Sequence, residues 1–267
     1  MNVKDKVVVI TGGGKGIGRA LALRFHADGA AKVAVADLDV EAAQAVAKQV
    51  DGLAFACDVR KEQDIVDMVD AVQSQCGAID LFCSNAGIIA GDGEQGWASS
   101  APNEVWQAMW EIHVMSHVWA ARACLPKMLE RGSGYFLNTV SAAGLLNQVG
   151  DTAYSTTKHA ALGFAEALSI THGADGIGVS ALCPQAVATD LISAVPDGGS
   201  AGLDGVLTPE EVADTVVQGL VEESFLILPH PTVEQYRAAK AADYERWLGG
   251  MRKLHRQFAT AVNAKLN

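Results

Sequence analysis

The hydrophobic positions of the chain alternate between short continuous runs and longer periodic stretches. Each short run is apolar or β-branched, is bounded by Gly, Asp or Asn, and is too short for a buried helix. These runs predict seven strands, at Val7–Thr11, Lys32–Asp37, Leu53–Cys57, Ile79–Ser84, Tyr135–Val140, Val179–Cys183 and Phe225–Leu228. The stretches between them repeat their apolar residues at helical spacing. They predict helices at Ile17–Asp28, Val40–Val50, Glu62–Gln75, Glu104–Glu130, Ala153–His172 and Pro209–Val221.

This alternation predicts the fold class. Continuous apolar strands separated by helices are typical of a parallel sheet that is covered on both faces. Right-handed crossovers then give an α/β, Rossmann-like, doubly wound parallel sheet of about seven strands with helices on both faces. The chain has no internal repeat and no linker-like segment, so we expect residues 1–267 to form a single domain with a C-terminal helical extension at about 231–267.

Two regions depart from the alternation. Ala188–Leu207 contains Pro196 and several glycines, and it follows the sixth predicted strand at the edge of the sheet where ligands bind in such folds. We expect it to be a mobile loop. Thr232–Lys265 predicts one or two helices, which pack on their own domain, cap the ligand pocket or pair with another subunit.

Composition and charge narrow the class of protein. Hydrophobic residues make up 49% of the chain and charged residues 19%, which supports a large core and argues against disorder. The formal net charge of −11 would repel phosphate backbones and anionic lipids, so we expect neither nucleic acid nor a membrane as partner. The first apolar run is too short for a signal peptide or a membrane span, which predicts a cytoplasmic protein.

The cysteines indicate neither disulfides nor a metal site. Their number is odd and no two have CxxC spacing, so buried free thiols in a reducing compartment explain them best. The five are Cys57, Cys76, Cys83, Cys124 and Cys183.

A glycine-rich turn lies between the first strand and the first helix. It reads Thr11-Gly12-Gly13-Gly14-Lys15-Gly16-Ile17-Gly18. Glycines at this point allow a tight turn and let backbone N–H groups approach a pyrophosphate at the positive end of the helix. The turn therefore predicts a dinucleotide site.

Asp37 and Lys15 give opposite indications about the dinucleotide. Asp37 closes the second strand, 19 residues after Gly18. A carboxylate there accepts hydrogen bonds from both ribose hydroxyls and repels a 2′-phosphate, which favours NAD over NADP. Lys15 would either meet a 2′-phosphate or be a solvated lysine of the turn. Nothing basic follows Asp37 at Leu38, so we expect NAD.

Three residues suggest proton chemistry. Tyr154 and Lys158 stand one helical turn apart on the same face, and Ser141 lies 13 residues upstream at the end of the fifth strand. A YxxxK pair alone is common. Its combination with the glycine-rich turn, Asp37 and the Asn85-Ala86-Gly87 turn after the fourth strand is specific.

With these motifs the sequence resembles the short-chain dehydrogenase/reductase family across roughly residues 6–228. The resemblance implies that Tyr154 is the general acid/base, that Ser141 holds the substrate oxygen and that Lys158 binds the nicotinamide ribose. It also implies a nicotinamide dinucleotide site, for which Asp37 favours NAD. The residues expected around the cofactor are Gly12, Lys15, Gly16, Ile17, Gly18, Asp37, Leu38, Asp58, Val59, Asn85, Ala86, Gly87, Tyr154, Lys158, Pro184, Val187 and Thr189.

The sequence departs from the family pattern at two positions. The family's helix Asn, which holds a water beside the active-site Lys, falls on His113. An imidazole with a pKa nearer 7 would bind that water or relay the proton, and the alternative is a packed histidine with no proton role. The family's Pro-Gly after the sixth strand is Pro184-Gln185, so Gln185 adds a side chain beside the nicotinamide or the substrate.

The segments expected to line the substrate pocket are 88–101, 142–152 and 185–207, and none contains Lys or Arg. A buried anion would lack a charged partner there. We therefore predict a neutral, largely apolar secondary alcohol or ketone as substrate. The alternatives are an NADPH-dependent ketone reductase and a catalytically silent nucleotide-binding protein, which the presence of Tyr154 and Lys158 disfavours.

The resemblance further implies a homo-oligomer, expected to be a tetramer. Family members pair the long helices equivalent to Glu104–Glu130 and Ala153–His172. Apolar residues on these helices would form the contact or would face the sheet instead: Trp119, Ala120, Ala161 and Phe164.

Overall fold

The computed structural model of the protein describes residues 1–193 and 197–266, with the side chains of residues 1–193 and 197–258. All strands of its seven-stranded sheet are parallel, in the order β3-β2-β1-β4-β5-β6-β7. This confirms the predicted fold class. The strands are β1 Val7–Thr11, β2 Lys32–Asp37, β3 Leu53–Ala56, β4 Leu81–Ser84, β5 Gly134–Thr139, β6 Ile177–Leu182 and β7 Leu226–Ile227.

The chain changes direction across the sheet next to β1. It moves outward from β1 to β3, then returns to pair β4 with the other side of β1. Adjacent connections therefore leave the carboxyl ends of β1 and β4 in opposite directions, which opens a crevice at that edge. The glycine-rich turn after β1 and the Asn85 turn after β4 meet there.

The helices cover both faces of the sheet, and one of them departs from prediction. The predicted helix Glu104–Glu130 is divided by a π-helical turn at Glu111–Met115, and π-helical turns occur frequently at functional sites. The structure also contains a short helix after β5 that the sequence does not predict, because four residues are too few to show helical periodicity. The helices are α1 Gly16–Ala27, α2 Val40–Gln49, α3 Glu62–Cys76, α4 Asn103–Trp110, α5 Ser116–Glu130, α6 Ala142–Leu145, α7 Thr152–His172, α8 Pro209–Glu222, α9 Thr232–Ala242 and α10 Tyr244–Leu266.

Two apolar clusters fill the two faces of the sheet. Successive residues of β1 alternate between them, with Val7 and Val9 in one cluster and Val8 and Ile10 in the other. Helices α3, α5 and α7 contribute to the first cluster, and helices α1, α2 and α8 to the second. Burial of both faces explains why the strands are continuous apolar runs.

The residues suggested for a subunit contact lie against this core. Ala120 and Ala161 are buried in the first cluster, and the half-buried Trp119 and Phe164 pack against it. Ala120 and Ala161 thus face the core, whereas Trp119 and Phe164 are covered by it only in part.

All five cysteines are free thiols, and only Cys76 is partly exposed. The C-terminal extension forms two helices, as predicted. Within the loop 188–207, the described residues include short 3-10 turns at Asp190–Ile192 and Gly199–Gly202, whereas Pro196 lies outside the described residues. None of the helices in the described part of the chain has a stretch long and apolar enough to cross a bilayer.

A histidine lies inside the core behind the site. His117 on α5 is 2% exposed, and neither of its ring nitrogens hydrogen-bonds to a described residue. Burial, and secondarily the positive charge of Lys158, lowers the pKa of His117 to about 3. The imidazole is therefore neutral in the folded protein over the whole range in which an unfolded histidine titrates.

This depressed pKa predicts a pH-dependent contribution to stability. Below about pH 6.5 the unfolded chain binds a proton at His117 and the folded chain does not, so the free energy of unfolding falls by about 1.4 kcal/mol per pH unit. Between pH 7 and pH 5, we expect the unfolding free energy of wild type to fall by about 2 kcal/mol more than that of His117→Phe. Urea denaturation at several pH values measures it. His26→Gln, on the exposed surface of α1, is the control, and a difference that is independent of pH would contradict the prediction.

Candidate active site

The glycine-rich turn packs directly under the first turn of α1. A Cβ on Gly18 would lie 2.1 Å from the carbonyl oxygen of Gly12, so no side chain fits there. Gly12 has φ +62°, in the left-handed region that favours glycine. Within the described part of the chain, no side chain caps α1. The N–H groups around Gly16, Ile17 and Gly18 are thus free of a side-chain acceptor, as an anion site at a helix N-terminus requires.

Asn85, which follows β4, hydrogen-bonds to this turn and to the ends of β1 and β5. Its side-chain amide donates to the carbonyl oxygens of Thr11 (3.1 Å) and Gly12 (3.2 Å). Its Oδ1 accepts a hydrogen bond from the Thr139 hydroxyl at the end of β5 (3.1 Å), and its own N–H donates to the Thr11 hydroxyl. We expected Asn85 among the residues around the cofactor, and the structure shows that its side chain is occupied in holding the crevice together.

The Asp37 carboxylate stands beside the glycine-rich turn. Its two oxygens accept hydrogen bonds from the N–H groups of Gly14 (2.9 Å) and Asp39 (3.0 Å), which fix its orientation at the end of β2. The next side chain, Leu38, is 69% exposed. Lys15 is paired with Asp39 at 3.1 Å, and this contact raises the pKa of Lys15. The positive charge of Lys15 is therefore already matched by a carboxylate.

Asp58 follows β3 on the same edge. Its carboxylate accepts two hydrogen bonds from the Arg60 guanidinium, at 2.8 and 2.7 Å, and this contact lowers the pKa of Asp58. Val59 beside it is buried. Arg60 thus fixes the orientation of a carboxylate that we expected among the residues around the cofactor.

The three residues expected to carry the chemistry converge on the carboxyl end of β5. Tyr154 and Lys158 lie on α7, with the Lys158 ammonium 5.6 Å from the centre of the Tyr154 ring. Lys158 donates to the carbonyl oxygen of Thr139 (2.9 Å). Ser141 caps α6: its hydroxyl accepts a hydrogen bond from the N–H of Ala143 (3.1 Å).

Burial shifts the two titrating groups in opposite directions. It raises the pKa of Tyr154 to about 12, against which a hydrogen bond with the Ser141 hydroxyl acts. It lowers the pKa of Lys158 to about 7. Desolvation disfavours the charged form of each group, so the cleft itself favours the neutral phenol and weakens the hold of Lys158 on its proton.

His113 is a neutral, packed histidine. Its Nε2 accepts a hydrogen bond from the N–H of Ile88 (3.1 Å), and its Nδ1 lies 2.9 Å from the Thr157 hydroxyl. That hydroxyl donates to the carbonyl oxygen of Ala153, so Nδ1 carries the imidazole proton. The ring stands edge-on to the Tyr154 ring, with 5.4 Å between their centres.

These contacts correct our expectation for His113. Burial, followed by the charge of Lys158, holds its pKa well below the ordinary value near 6.5, so the expected pKa near 7 is wrong. Both ring nitrogens are engaged with protein groups and leave no site for a water. The structure favours the alternative of a packed histidine that supports Tyr154. Gly87 separates His113 from Lys158, since a Cβ there would lie 3.6 Å from Nε2 and 3.7 Å from the ammonium nitrogen.

The segment after β6 closes the remaining side of the crevice. The Pro184 carbonyl accepts a hydrogen bond from the N–H of Ala142 (2.9 Å), next to Ser141. The N–H of Gln185 donates to Nδ1 of the buried His230 (3.2 Å). Val187 pairs with Leu207 in an isolated parallel bridge.

Thr189 completes the contact with the glycine-rich turn. Its methyl group would lie 2.9 Å from a Cβ on Gly16. Ala86 packs similarly close, since its Cα would be 2.9 Å from a Cβ on Gly12. The turn after β4 and the segment after β6 thus both adjoin the glycine-rich turn.

Asp151 is a site residue that we did not predict. It caps α7 by accepting the N–H of Tyr154 (3.1 Å) on one oxygen, and its other oxygen accepts the N–H groups of Ala90 (3.1 Å) and Gly91 (3.0 Å). An Asp three residues before a helical Tyr is a capping signal that sequence reasoning could have used. His230 and Thr157 carry no such signal, because only the tertiary fold brings them to Gln185 and His113.

Comparison with known proteins gives consistent matches. Residues 6–198 match the short chain dehydrogenase family. The 1-deoxy-11-beta-hydroxypentalenate dehydrogenase of Streptomyces exfoliatus is 32% identical over 233 residues, which cover 85% of this chain and 84% of that protein. Human estradiol 17-beta-dehydrogenase 11 is 27% identical, with 99% of this chain and 88% of that protein covered.

A solved structure extends the likeness to three dimensions. A short chain dehydrogenase/reductase from Burkholderia phymatum, in complex with NAD, superposes with a TM-score of 0.80 at 27% identity. The superposition covers 92% of this chain and 96% of the other. The family match, the relatives and the shared fold show that this chain is an oxidoreductase of the short-chain dehydrogenase family.

Proposed function

We propose that the protein is a cytoplasmic, NAD-dependent dehydrogenase that interconverts a neutral, largely apolar secondary alcohol and its ketone. The observation that carries the proposal is the convergence of Ser141, Tyr154 and Lys158 at the carboxyl end of β5, beside the glycine-rich turn. A silent nucleotide-binding protein would not need a phenol and a buried ammonium in contact range.

The residues around the crevice fit a dinucleotide. The N–H groups at the start of α1 suit a pyrophosphate, and the oriented Asp37 carboxylate suits the two hydroxyls of an adenosine ribose. The pairing of Lys15 with Asp39 removes the main argument for a 2′-phosphate and thus for the NADPH-dependent alternative. The NAD bound to the Burkholderia phymatum relative supports the same choice.

The chain's own residues would manage the proton. Ser141 donates a hydrogen bond to the substrate oxygen while Tyr154 takes the hydroxyl proton of the alcohol, or returns it to the ketone. Nicotinamide, when bound, accepts or donates the hydride. Bringing the Tyr154 phenol from a pKa of about 12 to about 7 requires roughly 7 kcal/mol of preference for the phenolate. The Lys158 ammonium contributes to that preference because it is buried 5.6 Å from the centre of the Tyr154 ring.

The pocket walls support a neutral substrate. The segments 88–101, 142–152 and 185–207 contain no Lys or Arg. Lys240 reaches one of them, but its ammonium is bound to backbone carbonyl groups. Estradiol, which appears in the name of one relative, is a secondary alcohol without an anionic group, whereas the pentalenate in the name of the Streptomyces exfoliatus relative is a carboxylate.

Absorbance at 340 nm tests the proposal directly. A panel of secondary alcohols with NAD, and of ketones with NADH, is compared with matched carboxylated compounds. We expect turnover of apolar alcohols with NAD. Absence of turnover with every alcohol and ketone, despite NAD binding, would contradict the proposed function.

Tyr154→Phe should remove nearly all turnover and leave NAD affinity within a few-fold, because only the hydroxyl carries the proton while the ring keeps its packing. Initial rates and fluorescence titration of NAD measure the two effects. Tyr244→Phe, at a 56% exposed position of α10, is the control. A Tyr154→Phe variant that retains a tenth of the wild-type rate would exclude Tyr154 as the acid/base.

Cofactor choice should depend on Asp37. We expect wild type to prefer NAD over NADP by at least about tenfold in kcat/KM, roughly 1.4 kcal/mol. Asp37→Ala should bring the ratio towards one, because it removes both the hydroxyl acceptor and the repulsion of a 2′-phosphate. Asp51→Ala, in an exposed turn, is the control. Equal use of both cofactors by wild type would show that Asp37 does not decide the choice.

We also propose a homotetramer, on the basis of family membership. Light scattering at micromolar concentration should give about four times the 27.9 kDa mass of one chain. A particle with the mass of one chain would refute it.

A further inference from the structure

A lysine of the C-terminal extension lies against the turn that begins at Ser141. Lys240, in the last turn of α9, donates hydrogen bonds to the carbonyl oxygens of Leu145 (2.8 Å) and Leu146 (3.1 Å). Its ammonium also lies 4.7 Å from the centre of the Trp247 ring on α10. Helix α9 thus places the positively charged side chain of Lys240 at the end of α6.

The third donor position of this ammonium faces α7. Nζ of Lys240 lies 3.5 Å from Nε2 of His159, the residue after Lys158. His159 Nδ1 lies 2.8 Å from the carbonyl oxygen of Ser155, which can only accept, so Nδ1 carries the proton and Nε2 is the acceptor. Lys240 therefore connects the end of α6 with the helix that carries Tyr154 and Lys158.

The α6 turn depends on contacts at its two ends. Its four residues are fewer than a stable helix requires, and its internal hydrogen bonds run from Gly144 to Ser141 and from Leu146 to Ala142. At its start, the N–H of Ala142 donates to the Pro184 carbonyl (2.9 Å). At its end, the carbonyl groups that α6 leaves without helical partners are bound by Lys240.

We propose that Lys240 is a positioning residue that holds the Ser141 turn against α7, so that the Ser141 and Tyr154 hydroxyls meet the substrate oxygen together. This inference rests on the proposed function. The ammonium suits the task because it offers three donors to three acceptors on two elements. A hydrogen-bond network of this kind couples the residues it joins, so loss of Lys240 acts on the reaction through Ser141.

Lys240→Met tests the coupling, since it keeps the side-chain length and apolar stem but removes the donors. We expect kcat/KM for the alcohol to fall about tenfold, while KM for NAD changes less than twofold. In a Ser141→Ala background the same substitution should change the rate less than twofold. Lys240→Arg should recover at least a third of the wild-type rate, and Lys253→Met, on the exposed side of α10, should match wild type.

A tenfold loss in both backgrounds would overturn the proposal, because Lys240 would then act on general stability. Hydrogen–deuterium exchange gives a readout that needs no turnover: amides 142–146 should exchange at least about tenfold faster in Lys240→Met and not in Lys253→Met. Unchanged exchange there would also overturn the proposal. If wild type turns over no alcohol but Lys240→Met changes the exchange as expected, the proposed function is wrong. The contact by which Lys240 stabilises the Ser141 turn is then still supported.

Discussion

Burial of the Lys158 ammonium group is the constraint on which the site depends. The side chain is 2% exposed, and the Thr139 carbonyl is its hydrogen-bond acceptor at the end of β5. A buried ammonium is costly unless its surroundings favour the charge, and every neighbouring base that became protonated would add repulsion. His113 and His117 are both held neutral, because their own burial lowers the pKa of each and the charge of Lys158 lowers it further. Of these three bases, Lys158 is therefore the one that carries a positive charge next to the phenol when it is protonated.

The position of that charge follows from the sheet topology. The carboxyl ends of β1, β4 and β5 lie side by side, and the side chains of Thr11, Asn85 and Thr139 join them by hydrogen bonds. The same edge presents the N-terminus of α1 and the start of α7. A helix that begins beside the end of β5 can place its first two turns, with Tyr154 and Lys158, over the switch point. The position of the catalytic residues beside the cofactor crevice therefore follows from where α1 and α7 begin.

The sequence predicts the parts of this arrangement that are local. The strands β1 and β2 and the glycine-rich turn follow from continuous apolar runs and glycine spacing, and Tyr154 and Lys158 from helical periodicity. The π-helical turn that carries His113 leaves no trace in apolar spacing, and the tautomer of His113 depends on Ile88 and Thr157, which are distant in the chain. Its pKa was mispredicted for the same reason, because desolvation is a property of the packed interior and not of the residue type.

The segment from His230 to Lys240 makes polar contacts with the segments expected to line the substrate pocket. His230 accepts from the N–H of Gln185 and Tyr236 donates to Asp204, both in the segment 185–207, and Lys240 binds the end of α6 in the segment 142–152. Among the described residues, the Gln185 Oε1 atom is buried and has no hydrogen-bond partner. A buried amide oxygen without a partner is satisfied by a water or by a donor on the ligand. Gln185 thus contributes an uncharged acceptor to the segment 185–207, in keeping with walls that lack Lys and Arg.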